Sequence, residues 1–250
     1  MMNISGIQSQ SSYTALVSGS KINSAADNAA GLSISEKLQS QATGYEVGSS
    51  NAKDGISLIN VAEGALSGVH DSLQRIRELA VKASNGLYSE TDKQAIQKEI
   101  DGLKESIQDT AKGTTFNTMK LLDGSMADID LATNPQGGRL KIQMANSTLE
   151  SLGIADFDVT GDFSLEDIDN AIDMVSQARS NLGAQSNALE HTIKSNDYTN
   201  YNLTAANSQL KDTDYGDEII KKNRDEALAQ YRIFSIKAQT NAEANMLMLF

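Results

Sequence analysis

The chain of 250 residues has no cysteine, no tryptophan, a single proline and two histidines, and only 5% of it is aromatic. Each shortage removes a class of chemistry. Without cysteine there are no disulfides, thiol nucleophiles or thiolate metal sites. His70 and His191 stand in no metal-ligand spacing, and His70 sits beside an apolar position, which predicts a surface or edge role. No glycine-rich phosphate loop, G-x-S-x-G or H-E-x-x-H motif occurs. The paired carboxylates Glu166/Asp167 and Asp217/Glu218 fall at helix starts, where the positive end of the helix dipole accounts for them. Met246 and Met248 belong to an apolar terminal stretch and read as packing rather than as soft ligands. No catalytic residue, cofactor or metal site is therefore expected, and the chain reads as something other than an enzyme.

Positive charge is also short. The net charge is −12, and the densest basic cluster, Lys221, Lys222 and Arg224, is flanked by Asp217, Glu218, Asp225 and Glu226. Such a surface does not attract phosphate, so no nucleic-acid partner is expected. No window approaches 18 apolar residues, which removes membrane insertion by a spanning helix. The opening stretch MMNISGIQSQSSYTAL lacks a charged segment followed by an apolar one. A cleavable secretory signal is not expected, and a protein that leaves the cell would leave by another route.

Hydrophobic residues make up 39% of the chain, enough for an ordered core, yet bulky aromatics are few. A thin helical bundle can be filled by Ala, Leu, Ile and Val, so the shortage favours an elongated architecture. Pro135 alone interrupts it, leaving the residues on both sides free of the strongest helix breaker.

What is present is helical period. In Asp54–Gly86 the residues Ile59, Ala62, Leu66, Val69, Leu73, Ile76, Ala80 and Ala83 step by threes and fours, leaving Arg75, Arg77 and Lys82 outside. Asn85-Gly86 is suited to a left-handed helix end. Upstream, Asn23–Asp27 reads as a cap, after a short helix carrying Ile4, Ile7, Tyr13, Leu16 and Val17. Ser89-Glu90-Thr91-Asp92 caps a second long helix with Ile96, Ile100, Leu103 and Ile107, ending near Lys112-Gly113 and folding back as an antiparallel hairpin. From Thr114 to Phe163 glycines punctuate short apolar runs, and Asp128–Ala132 pairs with Leu140–Met144 around the loop holding Pro135. Ser164-Leu165-Glu166-Asp167 caps a third helix with Ile168, Ile172, Val175, Leu182, Leu189, Ile193, Leu203 and Leu210. At 1.5 Å per residue it would be about 65 Å long. After a joint at Asp212–Gly216, Ile220, Ala227, Tyr231, Phe234, Ala238, Ala242 and Met246 continue to the end. The fold class is mainly α: an elongated bundle of long antiparallel helices with coiled-coil-like packing and one small β-hairpin region. Neither terminal helix finds a sufficient partner within one copy, which marks an assembly surface.

Specific words then add to the period. KINSAADNAAGLSISEKLQSQ at Lys21–Gln41, NAKDGISLINVAEGAL at Asn51–Leu66, LQRIRELAVKASNG at Leu73–Gly86, KEIDGLKESI at Lys98–Ile107 and FNTMKLLDGS at Phe116–Ser125 resemble bacterial flagellin. So do LGAQSNALEHTI at Leu182–Ile193, NLTAANSQLKDTDYGDE at Asn202–Glu218 and the apolar final helix. The resemblance covers nearly the whole chain in order. It implies a subunit that self-assembles into the extracellular flagellar filament for motility, in a minimal form without outer D2 or D3 domains.

The resemblance further implies 1–30 as a shortened N-terminal part of D0 and spoke, 31–211 as a D1 helical rod with β structure at about 114–163, and 212–250 as the C-terminal D0 helix. The chain begins at MMNISGI where flagellins carry a longer segment, so the last helix is expected to have a shortened partner. The implied partners are other copies of the chain, an export chaperone on the C-terminal helix, the filament cap and hook-associated proteins, with passage through a flagellar type III channel. Self-assembly residues are expected at Ala227, Tyr231, Phe234, Ala238, Met246 and Leu249. A vertebrate partner, Toll-like receptor five, is implied at Gln74, Arg75, Leu79 and Glu99. Two other readings stand beside it: a hook–filament junction protein, which shares the terminal-helix plan, and, from another class, a secreted adhesin or receptor ligand that does not polymerise.

Overall fold

The structure, a computed structural model, describes residues 12–247, with side chains through residue 242. A short helix α1 covers 12–18. It is followed by α2 (Ala25–Ala83), α3 (Glu90–Gly113), β1 (Thr115–Phe116), β2 (Met119–Lys120), β3 (Asp128–Ala132), β4 (Arg139–Gln143), α4 (Leu165–Lys211) and α5 (Tyr215–Leu247). The helix starts follow from polar residues that satisfy free N–H groups. Ser89 Oγ accepts from Asp92 N while Asp92 accepts from Ser89 N, a complete capping box. Ser164 Oγ accepts from Glu166 N at 3.1 Å and opens α4. Asp214 Oδ1 accepts from Gly216 N at 2.9 Å and opens α5.

Two ends depart from expectation. At the start of α2 the Asp27 carboxylate accepts from the N–H groups of Asn23 and Ser24, and Ser24 Oγ donates to Asp27. One residue later Asn28 is non-helical and its Oδ1 accepts from Gly31 N at 2.8 Å, so the helix starts a second time. At the other end neither Asn85 nor Gly86 is left-handed; the left-handed glycines among the described residues are Gly19, Gly124, Gly137 and Gly153. The chain leaves α2 through a tight turn, with Asn85 N donating to Lys82 O and Tyr88 N to Asn85 O.

The chain divides into two compact units, Gly44–Thr199 and the pair Met1–Thr43 with Asn200–Phe250. In Gly44–Thr199 the whole apolar stripe Ile59–Ala83 is buried, together with Ile96, Ile100 and Ile107 of α3 and Ile168, Val175, Leu182 and Leu189 of α4. Full burial of each such Leu or Ile is worth about 1.5–3 kcal/mol. Ser49 Oγ donates to Asp197, Arg179 pairs with Glu63 and Arg77 with Asp169. As α2 runs forward its partners on α4 run backward, so the two are antiparallel.

β3 and β4 pair antiparallel, Asp128 opposite Gln143 and Ala132 opposite Arg139, one residue earlier on the second strand than expected. Thr133 N donates to Gly138 O and Asn134 Oδ1 accepts from Gly138 N, which sets that register. The hairpin is hooked to both long helices, since Asn51 donates to Ala132 O and the buried Asn196 to Thr133 O at 2.7 Å. Gly48 permits the approach, because a Cβ there would meet Thr133 O at 2.2 Å. A second antiparallel pair, β1–β2, was not expected. Asn117 and Thr118 form its turn with φ of 46° and 68°.

The other unit is fastened by polar contacts. Lys21 N donates to Lys211 O, Thr213 N to Gly19 O, and Ser20 bridges to Asp212. Ser35 Oγ donates to Asn207 Oδ1 at 2.7 Å, Asn207 to Gln39, and Asn200 to Ala42 O. Ala15, Ile22 and Ala42 are its buried apolar residues.

Candidate assembly and recognition surfaces

Two surfaces carry the sequence-predicted site residues. The first lies on α2 and α3. Arg75 donates through Nε and Nη2 to Glu99 Oε1 at 3.0 and 2.7 Å, and through Nη1 to Glu78 at 3.0 Å. Glu99 and Glu78 hold the guanidinium more firmly charged than usual, Glu99 first. Beside Arg75, Gln74 Nε2 lies 2.9 Å from Nε2 of His70, one turn earlier on α2. When that imidazole nitrogen accepts, the proton sits on Nδ1, which is buried and has no partner. Gln74, Arg75 and Glu99 are thus brought together at the surface.

Leu79 is not on that surface. It is 3% exposed and belongs to the core cluster, which corrects its expected place on the helix flank. The cause is that α2 packs against both α3 and α4. Its buried face is therefore wider than a two-helix seam and takes in Leu79 beside Ala80. Glu78 was missed as the third member of the Arg75 cluster, although its spacing of three from Arg75 signals it. The Arg75–Glu99 pair crosses between helices and has no local signal of that kind.

The second surface is α5. From Gln230 to Ala242 every side chain is exposed. Tyr231 is 73% and Phe234 72% exposed, and Ala227 and Ala238 are open as well. The side chain of Met246 and the whole of Leu249 lie outside the described residues. At roughly 100° per residue, Ile220, Ala227, Tyr231, Phe234 and Ala238 share one narrow stripe. Ile233 and Ile236 were not singled out from the sequence; they are also exposed and fall on the opposite face. Their apolar character was visible, but a reading that follows one stripe passes over a second. Near the start of α5, Lys222 Nζ stands over the Tyr13 ring, 6.0 Å from its centroid. The Glu218 carboxyl is held below its usual range by the Ser12 hydroxyl and then by Lys221.

Among the described residues no group of His, Cys, Asp and Glu is placed to hold a metal, and no helix is long and apolar enough to cross a membrane.

Residues 2–127 match the family model of the bacterial flagellin N-terminal helical region, and residues 165–250 that of the C-terminal helical region. Between them lie only the β3–β4 hairpin and the turn-rich loop before α4, so no outer domain is inserted there. The chain is 41% identical over 236 residues to a flagellin of Halalkalibacterium halodurans, covering 92% of this chain and 87% of the relative. With a flagellin of Bacillus subtilis it shares 39% identity, covering 89% and 86%. Among solved structures, a Bacillus cereus flagellin superposes with a TM-score of 0.53 at 27% identity, over 59% of this chain and 88% of that one.

Proposed function

This chain belongs to the bacterial flagellin family, and on that premise we propose that α5 supplies contacts through which its copies build the flagellar filament. The protein is a structural subunit of that extracellular filament, and it acts by assembly with no catalytic step. The observation that carries the role of α5 is the run Gln230–Ala242, exposed throughout while bearing Tyr231, Ile233, Phe234 and Ile236. Burial of apolar surface contributes about 25 cal/mol per Å², so repeated modest contacts along a polymer hold it without covalent links. Apolar side chains on opposite faces of one helix suit a position with neighbours on more than one side.

Before assembly the same face needs cover. That supports a chaperone seated on α5 and passage through the flagellar type III route, with the filament cap and hook-associated proteins as later neighbours. Electron microscopy of the concentrated, purified chain tests the central reading. Tubes of uniform diameter are expected; persistent monomers would overturn it and favour a secreted ligand that does not polymerise.

The α2–α3 surface supports a second role, contact with Toll-like receptor five through Gln74, Arg75 and Glu99. Leu79 then acts from beneath, by packing. Arg75→Ala should lower receptor signalling at unchanged helicity, and equal potency would remove this role.

A further inference from the structure

We propose that Asn85 is a site of spontaneous deamidation, at which the turn between α2 and α3 converts to aspartate and isoaspartate as the protein ages. Asn85-Gly86 is the one Asn-Gly pair in the chain. The reaction needs the N–H of the following residue free, no side chain crowding it, and the Asn side chain folded back along the backbone. All three are met. Gly86 is exposed, its N–H is in none of the turn's hydrogen bonds, and nothing lies within 4 Å of where a Cβ would stand. Asn85 Oδ1 accepts from Leu87 N at 3.2 Å, which draws the side-chain carbonyl over the Gly86 peptide. That same N–H faces the oxygen on which negative charge develops when the carbonyl carbon is attacked, as an oxyanion donor does.

The atoms balance simply. Gly86 N loses its proton and bonds to Asn85 Cγ, and the side-chain nitrogen leaves as ammonia. A five-membered imide forms. Water then opens it at either carbonyl, giving aspartate or isoaspartate at position 85. Overall one water is consumed and one ammonia released.

Other pairs of similar sequence are held back by structure. Asp54-Gly55 and Asp101-Gly102 lie inside α2 and α3, where the glycine N–H belongs to the helix. The Asp123 carboxylate accepts from Ser125 N and Oγ, which keeps it ionised and a poor electrophile. Asn134 precedes Pro135, which has no N–H to attack with.

The conversion adds a negative charge just past the C-terminal end of α2, where the helix dipole disfavours it. Isoaspartate also lengthens the backbone in a turn that sets how α2 meets α3.

The test incubates the full chain at mildly alkaline pH and maps its peptides by mass spectrometry, with isoaspartyl methyltransferase as the label. Label is expected chiefly in the peptide holding position 85. Gly86→Ala, accommodated in the open space, should slow its appearance about tenfold by restricting the backbone and crowding the nitrogen. Circular dichroism confirms that the variant is folded. Label spread evenly over the Asn peptides would overturn the proposal. So would a Gly86→Ala rate equal to that of the parent.

Discussion

On α2, Leu66, Leu73 and Ile76 are fully buried; on α5, Ile220, Tyr231 and Phe234, likewise aligned along one face of their helix, are 67%, 73% and 72% exposed. The two regions use one periodicity for different ends. In Gly44–Thr199 α3 and α4 close over the stripe of α2, so apolar burial holds the unit and polar contacts set its register. In Met1–Thr43 with Asn200–Phe250, hydrogen bonds between Gly19–Lys21 and Lys211–Thr213 do the fastening, Ala15, Ile22 and Ala42 are the buried apolar residues, and the large apolar side chains of α5 stay exposed. Helical period therefore reports an apolar face, not that the same copy covers it.

The sharpest way to break this comparison is to cut both stripes. Leu73→Ala should lower unfolding stability by about 2–5 kcal/mol, read from urea or thermal melts. Phe234→Ala should leave the monomer within about 0.5 kcal/mol of the parent. It should instead raise the critical concentration for polymerisation roughly tenfold or more, the effect of losing about 1.5–3 kcal/mol of burial at each assembled subunit. A large monomer effect from Phe234→Ala, or none on assembly, would mean that the two stripes do the same work.

Much of this was legible in the sequence, for identifiable reasons. Every member of the Ile59–Ala83 stripe is buried, because a long helix between two others must repeat its apolar residues at the helical period. Ser89 and Ser164 mark helix starts because free N–H groups need acceptors within three residues. What stayed hidden depends on partners distant in the chain. Leu79 is covered because a second neighbour widens the buried face, and Arg75 meets Glu99 only through the hairpin's register. The β1–β2 turn was missed because Asn117-Thr118 has no glycine to announce its two left-handed residues. The apolar face proposed for α5 contacts is evident in both sequence and structure. The expectation of a shortened first helix falls largely on residues before 12, outside the described range.

Glycines on α2 sharpen the comparison at smaller magnitude. Gly48→Ala should destabilise by about 1–3 kcal/mol, since the new Cβ collides with the Thr133 carbonyl, a backbone atom with little freedom to move. Gly64→Ala on the same helix meets nothing within 4 Å and should stabilise by about 0.5–1 kcal/mol through helix propensity. Equal effects at the two positions, measured by thermal melts, would show that the hairpin does not press on α2.

Acid should separate the two regions with the smallest effect. Asp27 is held below its usual range by the N–H groups of Asn23 and Ser24, and Glu218 by the Ser12 hydroxyl. A carboxyl whose folded pKa is depressed contributes stability that is present above its unfolded pKa and is lost as pH falls through the folded value. For Asp27 and Glu218 that loss begins as pH enters the ordinary carboxylate range and grows below it. The unit fastened by polar groups should therefore loosen first, while the core of Gly44–Thr199 has no carboxylate to titrate at Leu66, Leu73 or Ile76. Asp92, Asp123 and Asp158 are the internal controls: they lie within Gly44–Thr199, away from its buried apolar stripe, and are depressed in the same way, through Ser89, Ser125 and Thr160. If the fastening differs as argued, hydrogen exchange below about pH 4 should speed up at Asn23–Asp27 and at the start of α5. The α3 start should fray only locally, with the Leu66–Ile76 amides still protected. Simultaneous loss of protection at all of these sites would show one cooperative structure and end the distinction between the two regions.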